Sequence, residues 1–579
     1  MPGPADFIQR TVHALEAGGA APWIKRGLAV LAIILLALFY FIHEFRGLAT
    51  SQAMDQAQIG RNIASLQGWR TDFVRPLAVG QLQRNGKDVA RNIWYDTYNA
   101  PLPPLVNAIA LRPFKGSWKM TPREIVYAGD KAIAISAICF FLASLVFLYL
   151  TAARLFDQRL AVLGTALVLL GDIFWDYSLS GLPQMLMLFL FNATLYVMVR
   201  AVQAQYGGGG AVGVWLGLTG LGFGLLALSH ALTIWMFLGA LVFFALFFRP
   251  RGWAAAIVLA IFTVVYAPWL VRNYVVSGNP AGIAIYSVLD GINGSEAMHM
   301  RRVELNMEDF GPGHFYRKVK KNVQAQLGRI VQYFGWSVAA LTFFVALLHV
   351  FKRPETAMLR WMILTMWGGA LFGMALYGIT EEQGVAANHL HLLFIPIMTC
   401  YGMAYLLVQW NRLGIELRLA RIGFITLIFM LCMLPMLFKL LPPTKQTGVR
   451  WPPYVPPYIS VLNDWMEPNE MIASDMPWAV AWYADRPSVW LPETVKAFTE
   501  FHDYGIFGVP VNGLYLTPIS GSQNTLANIL KGEYRDWAAV ILRSVDLTKF
   551  PLKWATLLGL ENEAVFFADR DRQKVKMPE

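Results

Sequence analysis

The chain has 579 residues, of which 56% are hydrophobic and only 15% are charged. Soluble domains are about 45–50% apolar and about 25% charged, so the composition excludes an ordinary soluble enzyme and predicts a polytopic membrane protein. The net charge of +11 does not indicate a nucleic-acid partner. Much of the basic excess falls in short loops on one side of the membrane, as membrane topology requires.

Membrane-length apolar runs recur along the chain. A span needs about 20 predominantly apolar residues, and by that measure the sequence has about eleven candidate helices. They lie near 27–44, 131–151, 159–176, 182–199, 211–228, 230–248, 252–271, 330–350, 361–378, 390–409 and 422–441. The sequence therefore predicts a membrane all-α bundle.

The short loops predict how this bundle is oriented. Lysines and arginines gather in the loops of one side, whereas the short loops of the other side carry Asp172, Asp176, Glu381 and Glu382. Since basic loops stay in the cytoplasm, the N-terminus is expected there. Two long loops, 45–130 and 273–329, and the tail are then outside, which in a bacterium means the periplasmic face of the inner membrane.

The tail, residues 442–579, is predicted to form a domain separate from the transmembrane domain, 1–441. It opens with a proline-rich linker and then mixes short β-like runs with helical stretches. About 120 residues are enough for a core of their own, so a small α/β domain is expected. Its Trp478, Trp482 and Tyr483 could stack on sugar faces or pack the domain core, and the pattern leaves both alternatives open.

The opening loop contains acidic and basic residues that could take part in catalysis. In MDQAQIGRNIASLQG, from Met54 to Gly68, Ile59 and Ile63 recur at helical spacing, while Asp55 and Arg61 lie on other faces. This pattern is typical of an amphipathic helix at the membrane interface. Asp55 could be a reacting acid, or an acid that only complements the helix dipole.

A proline-rich turn closes the same loop. The segment YNAPLPPL, from Tyr98 to Leu105, has three prolines within four positions, which fixes a rigid turn. A helix is expected to follow over Val106–Leu111, with Pro103 and Pro104 suited to its start. The turn either docks the loop onto the bundle for function or simply precedes a helix.

Taken together, these segments resemble the first outer loop of the GT-C superfamily, in the branch of protein-O-mannosyltransferases and the aminoarabinose transferase of lipid A. The shared features are an acid soon after the first membrane helix, the GWRTDF segment and the PPL turn. Three later segments are similar in order: RLFDQR from Arg154, SGLPQM from Ser180, and APWLVRNY from Ala267 followed by Gly278-Asn-Pro280. The resemblance covers roughly residues 27–410.

The resemblance implies a sugar donor carried on polyprenyl phosphate and Asp55 as general base of an inverting transfer. Such a displacement needs a carboxylate on the acceptor side and positive charge or hydrogen-bond donors for the departing phosphate. The chain departs from the family pattern: Leu102 stands where members often carry Lys, and Gln184 where they often carry an acid. The metal requirement therefore stays open, and a divalent ion is one alternative.

Six residues are the candidates for substrate binding besides the base. They are polar groups in the opening loop or at the ends of predicted spans: Asp96, Arg61, Arg272, Asn273, His389 and Gln184. Each has a plainer alternative; Arg272, for example, is either a phosphate ligand or an arginine that extends to the interface. His389 either donates to phosphate at membrane depth or makes a structural hydrogen bond.

The expected partners are a lipid-linked sugar donor, an envelope glycan, lipid or protein acceptor, and membrane lipids, with no nucleic acid. Two other functions fit the same composition. A polyprenyl-phosphate or lipid transporter without chemistry would show polar residues continued across the bilayer and, often, internal repeats. A catalytically inactive relative would bind the lipid-linked sugar without turning it over.

Overall fold

The computed structural model describes residues 21–48, 50–86, 93–121, 124, 126–207, 211–292, 298–305, 310–441, 455–517, 534–541, 550–558 and 564–573. The proline-rich linker predicted from residue 442 lies outside the described residues as far as 454. The chain divides into two compact units, one ending at Arg46 and one from Gly47 to Glu579.

The first unit contains helix α1 (Ala21–His43). In the second unit the α-helices up to the linker are α2 (Ser51–Ala64), α3 (Pro76–Arg84), α4 (Leu102–Leu111), α5 (Ala128–Leu155), α6 (Gln158–Leu169), α7 (Asp172–Leu179), α8 (Gln184–Tyr206), α9 (Val212–Ser229), α10 (Thr233–Phe247), α11 (Trp253–Ser277), α12 (Pro312–Gly328), α13 (Ile330–Tyr333), α14 (Val338–Ala346), α15 (Pro354–Tyr377), α16 (His391–Arg412), α17 (Arg418–Cys432) and α18 (Leu434–Leu440). Short 3₁₀ segments lie at Arg112–Ser117, Gly282–Leu289 and Met298–Arg301.

Among the described residues, seven helices are long and apolar enough to cross a membrane: α1, α5, α8, α9, α11, α15 and α16. Two further pairs, α6 with α7 and α17 with α18, are bent by 53° and 69° and raise the count to nine if each pair is one span. On α11, Val264 is 70% and Val271 60% exposed, as expected of side chains that face lipid. The predicted membrane all-α bundle is confirmed.

The predicted number of spans, about eleven, differs from the structure at two places. The run near 230–248 forms the 15-residue helix α10, and the run near 330–350 is divided between the 4-residue α13 and the 9-residue α14. Gly335 and Trp336 between them both have φ of 60°, a left-handed conformation that ends a right-handed helix. Hydropathy alone cannot detect such a break.

Helix α2, which carries Asp55, is buried along most of its length. Thr50 caps it by accepting a hydrogen bond from the Ala53 backbone N–H at 3.2 Å, an arrangement that stabilises helix starts. A Cβ added at Gly60 would lie 2.8 Å from the Asn107 side chain, so α2 and α4 pack closely there. The amphipathic interfacial helix is therefore corrected to a buried helix, because the rest of the opening loop covers Asp55 and Gln58 and the tail covers Arg61.

The proline turn behaves as its sequence predicts. Helix α4 begins at Leu102 with Pro103 and Pro104 in its first turn, and both prolines are buried. Proline suits these positions because the first N–H groups of a helix have no intrahelical partner. The predicted helix start at this turn is confirmed, and the turn places Asn99 next to α2.

The tail contributes α19 (Pro456–Ser460), α20 (Leu462–Trp465), α21 (Pro477–Ala479) with a π turn at Val480–Ala484, α22 (Val495–Tyr504), a 3₁₀ segment at Arg535–Trp537 and α23 (Ala538–Ile541). The strands are β1 (Phe73–Val74), β2 (Met471–Ser474), β3 (Ser488–Trp490), β4 (Val511–Leu516), β5 (Trp554–Leu558) and β6 (Ala564–Ala568).

These strands form one mixed sheet in the order β1-β3-β2-β4-β6-β5. β1, β3, β2 and β4 pair in parallel, whereas β6 is antiparallel to both β4 and β5. The edge strand β1 comes from the opening loop, and Val74, Val79 and Trp94 of that loop share a hydrophobic core with the tail. The tail is thus α/β, as expected, but its sheet and core include part of the opening loop.

Candidate active site

A cavity of about 300 Å³ lies where the opening loop, the bundle and the tail meet. The residues that line it come from all three regions: Thr50, Ser51, Gln52, Phe73, Arg75, Tyr98, Asn99 and Ala100 from the loop; Ser229, His230, Ala231, Leu232, Ala284, Ser287, Asp290, Met300, Tyr377, Thr380, Glu382, Ala387 and Asn388 from the bundle and its connections; and Trp478 and Trp490 from the tail. The lining combines aromatic faces with hydroxyl, amide and charged groups, which suits a polar ligand that also has apolar faces.

Asp55 lies directly behind the wall of this cavity. Its side chain is 1% exposed. Its Oδ2 accepts hydrogen bonds from Arg75 Nη2 at 2.6 Å and from Asn99 Nδ2 at 2.7 Å, and its Oδ1 accepts from Gln58 Nε2 at 3.0 Å. Because Arg75 and Asn99 both line the cavity, the Asp55 carboxylate is in direct contact with two residues of the cavity wall.

Asp96 forms the second carboxylate of this cluster. Its Oδ2 accepts from the Asn99 backbone N–H at 2.9 Å, and its Oδ1 lies 4.0 Å from Arg75 Nη1. Burial, with the charge of Asp55 adding to it, raises the pKa of Asp96 to about 6 against the opposing effect of Arg75. The predicted pair of loop acids is thus gathered around one arginine and one asparagine.

Arg75 is the functional candidate that sequence reasoning did not select. It precedes Pro76 at the start of α3 in an extended conformation, with φ −95° and ψ 123°, as expected of a residue before proline. Its guanidinium carbon lies 4.1 Å from the centroid of the Phe73 ring and 4.0 Å from that of Tyr98. A sequence signal existed in the Arg-Pro pair, but the loop contains several arginines and nothing ranks them.

Arg272 and Asn273 lie near the end of α11, behind Asp96. The Arg272 guanidinium donates to the Asp96 backbone carbonyl and, at 2.9 Å, to Asn273 Oδ1, and it lies 4.7 Å from the Trp269 ring centroid. These contacts hold the Asp96 segment against the bundle. Neither residue is among the described residues that line the cavity, so a direct contact with substrate stays a prediction.

His389 and Gln184 meet in the bundle rather than in the cavity wall. His389 Nδ1 lies 2.8 Å from the Tyr177 hydroxyl, while Gln184 Nε2 donates to the Ala387 carbonyl at 2.5 Å. Burial lowers the pKa of His389 to about 4, so its ring is neutral at pH 7. Both side chains position the 386–389 segment, of which Ala387 and Asn388 line the cavity.

Arg61 faces the tail. Its Nη1 and Nη2 donate to the backbone carbonyls of Trp482 and Ala481 at 2.8 and 2.7 Å, and its guanidinium pairs with Asp485 at 2.7 Å. The side chain is 4% exposed. Its described contacts therefore connect α2 to the tail. Its predicted role in substrate binding stays a prediction.

The three tail aromatics have different positions. Trp482 Nε1 and the Tyr483 hydroxyl donate to the two carboxylate oxygens of Asp130, at 2.7 and 2.9 Å, so these two rings pack against α5. Trp478, by contrast, lines the cavity with Trp490, and their ring centroids lie 5.9 Å apart at 88°. Of the two alternatives left open by the sequence, core packing applies to Trp482 and Tyr483, and Trp478 faces the cavity.

Within the described residues, no group of three or more His, Cys, Asp and Glu side chains could hold a metal ion. Asp55 Oδ2 is paired with the Arg75 guanidinium at 2.6 Å. A divalent ion as cofactor stays a prediction.

The chain is similar to known membrane glycosyltransferases. Residues 123–271 match the family model of dolichyl-phosphate-mannose-protein mannosyltransferase. In fold, it is similar to the oligosaccharyltransferase AglB of Archaeoglobus fulgidus in complex with an inhibitory peptide and a dolichol-phosphate, with a TM-score of 0.52 and 13% identity over 96% of this chain and 75% of that one.

Two further solved structures match the chain. The Archaeoglobus fulgidus oligosaccharyltransferase tethered with an acceptor peptide gives a TM-score of 0.50 at 13% identity, over 90% of this chain and 72% of that one. ArnT from Cupriavidus metallidurans in the apo state gives 0.44 at 12% identity, over 96% and 100%. At such identities the likeness is one of fold. No curated protein sequence matches the chain significantly.

Proposed function

The chain resembles the GT-C superfamily of membrane glycosyltransferases in its fold and in its mannosyltransferase segment, and on that premise we propose that it is an inverting glycosyltransferase. It moves a sugar from a polyprenyl-phosphate donor to an acceptor at the outer face of the bacterial inner membrane. Its N-terminus is cytoplasmic and its tail periplasmic, as the basic loops indicate. The acceptor is an envelope glycan, a lipid or a protein.

The observation that carries the proposal is the position of Asp55. A carboxylate 1% exposed is held by two side chains that line a mixed polar and aromatic cavity. A buried carboxylate with directed hydrogen bonds has a fixed orientation, which general-base catalysis needs. Asp55 is therefore the proposed base, and Asn99 orients it.

The reaction follows from this arrangement. The acceptor hydroxyl or amine attacks the anomeric carbon of the sugar while its proton passes to the Asp55 carboxylate. The bond between the anomeric carbon and the phosphate oxygen breaks, and its electron pair leaves with the polyprenyl phosphate. Because attack and departure occur on opposite faces, the anomeric configuration inverts. The phosphate gains one negative charge, which a cation in the cavity wall stabilises.

Two polar atoms near the cavity support a hydroxyl-rich ligand. Within the described residues, Asn99 Oδ1 and Trp490 Nε1 are buried without a hydrogen-bond partner, although both side chains line the cavity. Buried polar groups are normally paired, so an acceptor and a donor are available there for a ligand. The aromatic faces of Phe73, Trp478 and Trp490 beside them suit the apolar faces of a sugar ring.

The solved relatives supply the support for the donor class. The Archaeoglobus fulgidus enzyme, whose fold this chain shares, was solved with a dolichol-phosphate, a lipid phosphate of the polyprenyl type. The same enzyme was solved with an acceptor peptide, which supports a protein acceptor as one of the three alternatives. A lipid phosphate in this chain would lie close to Arg75.

The test is Asp55→Asn, which keeps the shape of the side chain but removes its capacity to accept the proton. We expect sugar transfer to fall by at least about 10²-fold with the protein still present in the membrane. A deletion strain first identifies the envelope glycan that disappears by mass spectrometry. The initial rate of that transfer is then measured in membranes that contain each variant.

The matched control is Asp485→Asn, since Asp485 is another carboxylate paired with an arginine but does not line the cavity. This variant should retain transfer. If Asp55→Asn transfers sugar at a rate close to that of the unmodified protein, Asp55 is not the base.

A further inference from the structure

Arg75 supplies a positive charge at the cavity. It is the one arginine or lysine among the lining residues that the structure describes, and the lining also includes the carboxylates of Asp290 and Glu382. A phosphate that enters the cavity therefore has Arg75 as its nearest strong cationic partner. Arginine is well suited to this role because its planar fork binds phosphate through two hydrogen bonds.

The same guanidinium is already engaged by the proposed base. Its Nη2 lies 2.6 Å from Asp55 Oδ2, and its Nη1 lies 4.0 Å from Asp96 Oδ1. The side chain is 6% exposed and lies between the rings of Phe73 and Tyr98. The guanidinium thus contacts two rings and the Asp55 carboxylate while its side chain also lines the cavity.

A second anion can compete for the cation of a buried ion pair if it reaches that cation. The Asp55–Arg75 pair is stable because each charge would be costly to bury alone. A phosphate in the cavity offers Arg75 a second anionic partner at equal burial, so the guanidinium can move to it without becoming unpaired. Asp55 would then be held by Asn99 and Gln58 and no longer by a cation.

We propose that Arg75 exchanges its ion-pair partner during the reaction, from the Asp55 carboxylate to the phosphate of the lipid-linked donor. This inference rests on the proposed function and names a phosphate-binding residue for it. As Asp55 accepts the acceptor's proton, it loses its charge and its hold on Arg75. In the same step the departing phosphate gains a charge and attracts Arg75 more strongly, so one guanidinium links the two events.

A binding experiment tests the exchange without any sugar transfer. Purified protein in detergent is titrated with undecaprenyl phosphate, with undecaprenol and inorganic phosphate as separate probes that contain only the lipid or only the phosphate. Four forms are compared: the unmodified protein, Asp55→Asn, Arg75→Gln and the double variant. In the double variant both groups are neutral, so no unpaired charge remains buried.

We expect Asp55→Asn to bind undecaprenyl phosphate about tenfold more tightly, because Arg75 no longer has a charged competitor. Arg75→Gln should bind it about tenfold more weakly, and the double variant should show no gain from Asp55→Asn. Undecaprenol should bind all four forms alike. Asp485→Asn, which removes a carboxylate partner from Arg61 and leaves that of Arg75 in place, should leave the affinity unchanged.

The proposal is overturned if Asp55→Asn brings no gain, or if its gain persists in the double variant, since relief of simple charge repulsion would not need Arg75. Undecaprenyl phosphate that fails to bind, or that binds Arg75→Gln as well as the unmodified protein, also overturns it. Arg75→Met, which is also uncharged, replaces Arg75→Gln in the single and double variants if the latter does not fold, judged by size-exclusion chromatography. Loss of sugar transfer in Asp55→Asn together with a failed binding cycle would reject the exchange and leave the proposed base intact.

Discussion

The carboxyl groups of the opening loop differ in their surroundings, although they lie in one cluster. Asp55 receives the direct ion pair from Arg75, whereas Asp96 is 4.0 Å from that guanidinium and relies on the N–H groups of Tyr98 and Asn99. Burial and the charge of Asp55 together disfavour the ionised form of Asp96, and the more distant charges of Arg75 and Arg272 only partly oppose them. The ionised form of Asp96 is therefore destabilised in the folded protein.

The destabilisation of ionised Asp96 predicts that the free energy of unfolding depends on pH. The pKa of Asp96 is raised to about 6 in the folded protein, so the folded state binds more protons than the unfolded state at mildly acid pH. The stability that this proton contributes is present at low pH and is lost as pH rises through about 6. Asp96→Asn should remove this dependence, which amounts to at most about 3 kcal/mol.

The measurement is the melting temperature of purified protein in detergent between about pH 4.5 and pH 7.5, a window chosen to span the shifted pKa. The unmodified protein should lose more stability than Asp96→Asn as pH rises. A difference between the two proteins that does not change with pH would contradict the buried-carboxylate interpretation of Asp96.

At the scale of elements, α2 connects the site to the tail. One face of the helix carries Asp55 towards the cavity wall, and Arg61 reaches the π turn of the tail through two backbone carbonyls and Asp485. The tail also contacts α5, where Trp482 and Tyr483 donate hydrogen bonds to Asp130. Helix periodicity placed Asp55 and Arg61 away from the apolar face, but only the packed tail shows what Arg61 contacts.

Arg61→Leu should therefore act on tail docking. Two backbone carbonyls would lose charged donors inside the interface, at a cost of about 1–3 kcal/mol, whereas Asp485 is 41% exposed and can be hydrated. We expect a lower melting temperature and faster proteolysis of the tail, with the substrate KM unchanged at temperatures below the transition. A raised KM at unchanged stability would instead support the predicted substrate contact of Arg61.

For the whole molecule, the cavity exists only where three distant parts of the chain meet. The loop supplies Arg75 and Asn99, the bundle supplies His230 and Asn388, and the tail supplies Trp478 and Trp490. The shared sheet, in which β1 of the loop pairs with β3 of the tail, holds the tail over the loop. The tail is therefore part of the proposed binding site.

Trp478→Ala tests this contribution. The loss of one aromatic face from the cavity should raise the KM for a sugar-bearing substrate several-fold, corresponding to about 0.5–1.5 kcal/mol, with a smaller effect on kcat. Trp554→Ala is the matched control, because Trp554 is 52% exposed on β5 and does not line the cavity. Equal effects of the two substitutions would indicate that Trp478 acts through the stability of the tail alone.

The sequence by itself determined the properties that depend on local pattern. Apolar runs predicted the helical membrane bundle, the prolines after Asn99 predicted the start of α4, and ordered segments from Asp55 to Pro280 predicted the GT-C resemblance, which is confirmed. These features arise from composition and from contacts between near neighbours in the chain, so a single sequence contains them.

Only the tertiary structure decided which polar side chains meet. Arg75 lies 20 residues from Asp55, Trp490 is more than 400 residues from Phe73, and Arg61 finds its partners 420 and 421 residues away. Burial of charge is possible only where such distant groups compensate one another, and periodicity carries no information about those pairings. For that reason the sequence could propose Asp55 as a candidate base but could not predict its ion pair with Arg75.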